Sequence, residues 1–193
     1  MGLQSPELRW FKIFNEYIDL DNIPYKCLNI LDIGCGRNAK WIYLAFNLYL
    51  SEKERYINRY VGIDIDLKAL VPEKGILGEL AHLIVADAEN LSRLLKDTYH
   101  LVVMGHPPIS TYRERGKWKK IFHEIYKVLN RKAFLILTSF WIPDLIPSIY
   151  LLERSGFLII HKGRNRYPGN QFDISDDGER LIEDKYIVVA RKL

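Results

Sequence analysis

The residues best placed to do chemistry are three acids, a histidine and a pair of glycines, spread over the first 110 positions. Asp32 stands two residues before Gly34, and Gly34-Cys35-Gly36 follows a short apolar run, Leu28 to Ile33. Glycine has no Cβ, so the chain can turn sharply there and a ligand can approach its backbone. Gly34, Gly36 and Ala39 fit the spacing of a dinucleotide turn, but one such match is weak. A carboxylate beside the turn suits a cationic ligand and does not suit a pyrophosphate. Further along come Asp64, Asp87 and His106-Pro107-Pro108, each just after an apolar run. Neutral imidazole titrates near physiological pH and offers one acceptor, so His106 is a candidate general base.

The elements that must position these residues alternate between strand and helix. Leu28 to Ile33, Tyr60 to Ile65, His82 to Ala86, Leu101 to Met104, Ala133 to Phe140, Phe157 to Ile160 and Lys185 to Arg191 read as seven strands. Helical spacing begins near Asn38 (Trp41, Leu44, Ala45, Leu48) and recurs over Thr111 to Asn130 and Ile146 to Arg154. A helix is also expected at the start. Ser5-Pro6-Glu7 is a start signal, and Trp10, Phe11, Phe14, Tyr17 and Ile18 form its apolar stripe. Asp66 reads as an N-cap for Leu67 to Leu70, and Asp87 as a cap for a helix from Ala88 to Lys96. Ser51 to Arg59 reads as a surface connection. No crossover helix separates the last two strands, so they are expected to pair antiparallel. The result is an α/β fold with a mainly parallel seven-stranded sheet and helices on both faces.

Four features fall in order at four successive strand ends: Asp32-x-Gly-x-Gly, Asp64, Asp87-Ala88 and the His-Pro-Pro loop. Together they resemble the class I (Rossmann-like) methyltransferases that use S-adenosylmethionine (SAM). The resemblance implies a single domain over 1–193, with 1–27 as helix and linker and 28–193 as core, and an antiparallel terminal strand. It implies cofactor contacts from Asp32, Gly34, Cys35, Gly36, Asn38, Asp64, Ile65, Asp87, Ala88 and Gly105. Asn38 stands where the family has a third glycine, and Asn tolerates left-handed backbone. Asp64 would accept hydrogen bonds from two ribose hydroxyls. Asp87 would take the adenine amino group, and the Ala88 backbone a ring nitrogen. His106 and Pro107 would face the transferred methyl group. Family members that methylate amide or base nitrogens carry Asn or Asp before the prolines and an aromatic after them. Here His106 and Ile109 stand at those positions, and Tyr112 is the nearest ring for stacking.

Length and composition agree with a globular protein of one domain. The chain has 193 residues, 48% hydrophobic and 27% charged, with a net charge of +4. No apolar run approaches the ~20 residues of a membrane helix. Trp10 to Leu20 is interrupted by charged and polar residues, so no signal peptide is expected. Two cysteines define neither a disulfide framework nor a metal site, and the expectation is a reduced, cytoplasmic protein needing no metal. The expected reaction converts SAM to S-adenosylhomocysteine (SAH). The acceptor is unidentified, with nucleic acid or protein favoured over a small metabolite. A SAM-binding module without catalysis and a nicotinamide enzyme stand as alternatives, the latter opposed by Asp32. Two segments bear on the acceptor: the basic Arg113 to Lys120 stretch, and the long Lys162 to Asp184 connection. The connection is basic at first and acidic later, and its charges can pair with one another.

Overall fold

A computed structural model describes residues 5–21, 23–70, 77, 79–174 and 180–193, with only the backbone for Tyr112. Helix α1, Pro6–Tyr17, precedes strand β1, Cys27–Ile33. Helix α2, Ala39–Glu52, leads into β2, Tyr56–Asp64, then the short α3, Leu67–Leu70, and β3, Ala81–Val85. Helix α4, Leu91–Leu94, β4, Tyr99–Gly105, α5, Tyr112–Val128, and β5, Leu129–Ser139, follow. Helix α6, Ile142–Arg154, then precedes β6, Phe157–Arg164, β7, Gln171–Ile174, β8, Arg180–Ile182, and β9, Tyr186–Lys192.

Seven strands form one sheet in the order β3-β2-β1-β4-β5-β9-β6. The first five run parallel. Strand β9 inserts between β5 and β6 and runs antiparallel to both. The strand order reverses at β1, whose neighbours are β2 and β4. In an open parallel sheet the crossovers on either side of such a point leave a crevice beyond the strands' carboxyl ends. Asp32, Asp64 and Gly105 therefore converge from three strands.

Apolar residues cover both faces of the sheet. On one face α1 and α2 bury Ile13, Phe14, Phe46, Tyr49 and Leu50 against Ile30, Leu101 and Val103. Phe14 stacks on Phe46 at 3.9 Å between ring centroids, and Tyr49 Oη donates to the Ile18 carbonyl at 2.7 Å. On the other face α5 and α6 bury Ile121, Phe122, Ile125 and Leu152 against Leu31, Val102 and Leu135.

The structure moves several expected boundaries. β2 begins at Tyr56, inside the expected connection, because Tyr56 and Ile57 pair with Cys27 and Leu28. Residues 88–96 form a 3-10 turn and a single helical turn, and α6 starts at Ile142, with Pro143 in its first turn and Pro147 inside it. Ser5 is at the N-cap, but its hydroxyl makes no capping bond. The connection after β6 contains the β7–β8 pair, an antiparallel two-stranded sheet of its own.

At the opposite rim of the sheet His100 is buried. Its Nδ1 accepts from the Asn29 backbone N–H at 3.0 Å, and its Nε2 lies 2.9 Å from the Asn130 side-chain amide. Burial holds its pKa below the usual 6.5. Protonation therefore favours the unfolded chain, and this contribution to stability is present above pH 6.5 and lost as pH falls toward the folded value. In urea denaturation, the stability difference between wild type and His100→Gln should be largest at pH 8 and shrink by pH 5.5. An equal difference at both pH values would contradict a neutral, load-carrying imidazole.

Candidate active site

Two cavities of about 340 and 350 Å³ lie at the carboxyl rim, and both touch Gly34, Gly105 and His106. They are two lobes of one crevice. Gly34 has φ +67° and nothing within 4 Å of where a Cβ would project, so the junction is open at the turn. The turn is pinned from β2: Gly34 N–H donates to the Ile63 carbonyl at 2.8 Å, and Gly36 N–H to Asp64 Oδ2 at 2.9 Å. Cys35 is buried, its sulfur packed against Gly62, where an added Cβ would come within 2.9 Å of it. Asn38 is right-handed at φ −95°. The left-handed conformations fall on Gly34 and Gly36, so the tolerance expected of Asn38 is not used.

Asp32 lines the first lobe and is 2% exposed. It accepts from Tyr60 Oη at 2.5 Å. Burial pushes its pKa up to about 7; the Tyr60 bond opposes this and nearby Asp64 adds to it. A carboxyl held this high resists ionisation, and a cation arriving beside it draws it toward the charged form.

Asp64 and Asp87 line the second lobe with Ile65 and Ala88. Each Asp64 oxygen already accepts one backbone N–H, from Gly36 and from Asp66 at 2.8 Å. A carboxylate oxygen has a second acceptor site, so both remain competent toward a diol. Asp66 caps α3 as expected, accepting from Lys68 N–H at 2.9 Å. Asp87 accepts from Glu89 N–H at 3.0 Å, and its other oxygen lies 3.5 Å from Lys117 Nζ. Lys120 pairs with Glu89 at 2.9 Å. Part of the basic run on α5 is thus spent on acids after β3. Arg113, Arg115 and Lys119 line a separate open groove between α5 and α6.

His106 has φ +52°, uncommon for a residue with a Cβ. Its backbone N–H donates to the Thr138 carbonyl at 2.8 Å. The loop after it is held by Asp144 of α6, whose Oδ1 accepts from Ile109 and Ser110 N–H at 2.7 and 2.6 Å. Pro107 is buried and lines the second lobe. Tyr112 opens α5, and its side chain lies outside the described residues.

Sequence reasoning missed the partners of His106. Its Nε2 lies 3.1 Å from Asp184 Oδ1, and Arg9 Nη2 lies 3.0 Å from Asp184 Oδ2. Arg9 also bonds Glu183 at 2.9 Å. Burial works to raise the Asp184 pKa, but His106 and Arg9 together hold it below the ordinary range, so Asp184 is ionised. The late acids therefore pair with α1 and the His106 loop. Arg166 likewise pairs with Glu16 of α1, at 2.6 Å. A cation on the apolar stripe of α1 and an acid just before the last strand were the available signals. Pairing over 175 positions has no local signature.

Solved structures share this fold over nearly the whole chain. A SAM-dependent methyltransferase from Clostridium acetobutylicum aligns with TM-score 0.66 and 11% identity, covering 96% of this chain and 92% of its own. One from Methanosarcina mazei aligns with TM-score 0.59 and 18% identity, covering 94% and 97%. A plantazolicin methyltransferase, solved with a triazolic desmethylPZN analog and SAH, aligns with TM-score 0.65 and 13% identity, covering 96% and 85%. No protein-family model and no curated protein matches the sequence. The chain has the fold of the SAM-dependent methyltransferases.

The raised Asp32 pKa gives a test independent of any ligand. The folded state keeps this carboxyl protonated up to about pH 7, whereas the unfolded chain ionises it near 3.8. The stabilising contribution is complete below the unfolded value and is lost as pH rises through the folded one. Asp32→Asn should melt higher than wild type at pH 8.5, with the difference vanishing toward pH 4. A lower melting temperature at pH 8.5 would contradict the desolvated carboxyl.

Proposed function

We propose that this protein transfers a methyl group from SAM to a nucleophile bound beside His106. The observation that carries the reading is the two-lobed crevice joined at Gly34, Gly105 and His106, with acids on both sides. SAM is elongated, with an adenosine at one end, an amino acid at the other and a cationic sulfur between. The second lobe fits the adenosine: Asp64 toward the ribose, Asp87 and Ala88 toward the adenine, and Ile65, Ile121 and Trp118 as apolar walls. The first lobe fits the amino-acid end, with Asp32 near the positive charge. The fold shared with methyltransferases, one of them solved with SAH, is in keeping with this reading.

When bound, SAM would supply a methyl group already activated by the sulfonium. The chain's own work is then alignment, exclusion of water and removal of a proton. Gly34 and Gly105 leave room at the junction. His106 is the titratable group that borders both lobes.

Calorimetry should find SAH binding in wild type and weakening of roughly 30-fold or more in Asp64→Ala, at about 2 kcal/mol per lost charged hydrogen bond. His106→Ala should retain SAH affinity and lower turnover. SAM affinity should rise with pH through about 7 as Asp32 ionises, and the neutral thioether SAH should respond less. Unchanged SAH affinity in the Asp64 variant would remove the ribose assignment.

A further inference from the structure

The first lobe is walled at the acceptor end by Phe140 and Phe172, which meet edge to face at 5.4 Å. Phe140 also lies 5.2 Å from the His106 ring. Phe172 projects from the β7–β8 pair and is 54% exposed, an apolar ring held over an open cavity. With Asp32 given to the donor's amino-acid end, two acids of the same lobe, Glu183 and Asp184, face Arg9 beside His106. Asp184 is 2% exposed, and among the described residues its Oδ1 has no partner in good hydrogen-bond geometry, although His106 is within ion-pair range. Aromatic faces and carboxylates around one cavity recognise organic cations. An excess of carboxylates opposes phosphate or carboxylate acceptors. At about 340 Å³ the lobe also takes the amino-acid end of the donor, which leaves room for a small acceptor only.

We propose, resting on the methyl-transfer reading above, that the acceptor is a small amine with an apolar body. It is held as its ammonium form by Glu183 and Asp184, with its apolar body against Phe140 and Phe172. The ammonium first passes a proton to the Glu183 carboxylate, which is partly exposed and returns it to solvent. Ionised Asp184, 3.1 Å from His106 Nε2, keeps the imidazole proton on that nitrogen, and Nδ1 is covered by protein, so His106 braces Asp184 and does not take the proton itself. The freed nitrogen lone pair then forms the N–C bond as the S–C bond breaks. The products are neutral SAH and the N-methylated ammonium.

The test uses the full chain. SAH binding is first measured by calorimetry. Methyl-labelled SAM is then offered with benzylamine, phenethylamine, benzyl alcohol, phenol, benzoate, and mixed RNA and DNA. Label should enter the amines, with kcat/KM at least tenfold above benzyl alcohol. Glu183→Gln and Phe172→Ala change partly exposed residues, and both should raise the amine KM about tenfold. Phe172→Ala should leave SAH affinity within twofold. SAH binding with no label in either amine, or with label only in phenol, benzoate or nucleic acid, would overturn the amine assignment and leave the donor site intact. Loss of SAH binding in wild type would instead strike the methyl-transfer reading itself.

Discussion

Burying a carboxylate at the end of β1 is the constraint around which the crevice is arranged. Asp32 sits almost without solvent, beneath the glycine turn, with Tyr60 Oη as its hydrogen-bond donor. Tyr60 is itself fully buried and its Oη also lies 3.1 Å from the Ala39 carbonyl, so it ties strand β2, the acid and the start of α2 together. The local cost is a carboxyl that resists ionisation. Such a cost is stable in a fold only where the surroundings over-determine it, and here two parallel strands and a pinned turn do so.

The sheet topology makes that arrangement available. Reversal of strand order at β1 opens the rim between β2 and β4, and the carboxyl ends of three adjacent strands carry acids or glycine into the gap. Long-range contacts close the remaining sides. Arg9 reaches from α1 to Glu183 and Asp184, and Asp184 reaches to His106. Asp144 fixes the loop that follows. Three segments far apart in sequence thus meet over one lobe, and a single buried carboxylate is common to two of the contacts. Its left-handed backbone, φ +50°, and that of His106 are strained together at the joint.

Much of this was legible in the sequence, for reasons that are local. Parallel strands buried on both faces appear as apolar runs, and each run ends at the residue that faces the crevice, so Asp32, Asp64, Asp87 and Gly105 could be read from position alone. The antiparallel ending followed from the missing crossover helix. The β7–β8 pair was not legible: its strand Gln171–Ile174 alternates polar and apolar side chains, but over only four residues, and it is exposed throughout. The extension of β2 back to Tyr56 was hidden by Asn58 and Arg59, polar residues on a strand whose outer end is solvated. The ring of Arg9, Glu183 and Asp184 around His106 is tertiary, and the charge pattern of the last connection suggested internal pairing instead.

Hydrogen–deuterium exchange with and without SAH tests the central claim most directly, because it reads separate segments in one experiment. The account predicts that SAH slows exchange together at residues 34–38, 64–66, 87–89 and 105–107, with the α5–α6 groove unchanged. Protection confined to one of these segments, or appearing only in the α5–α6 groove, would contradict a donor gripped across the rim of the sheet.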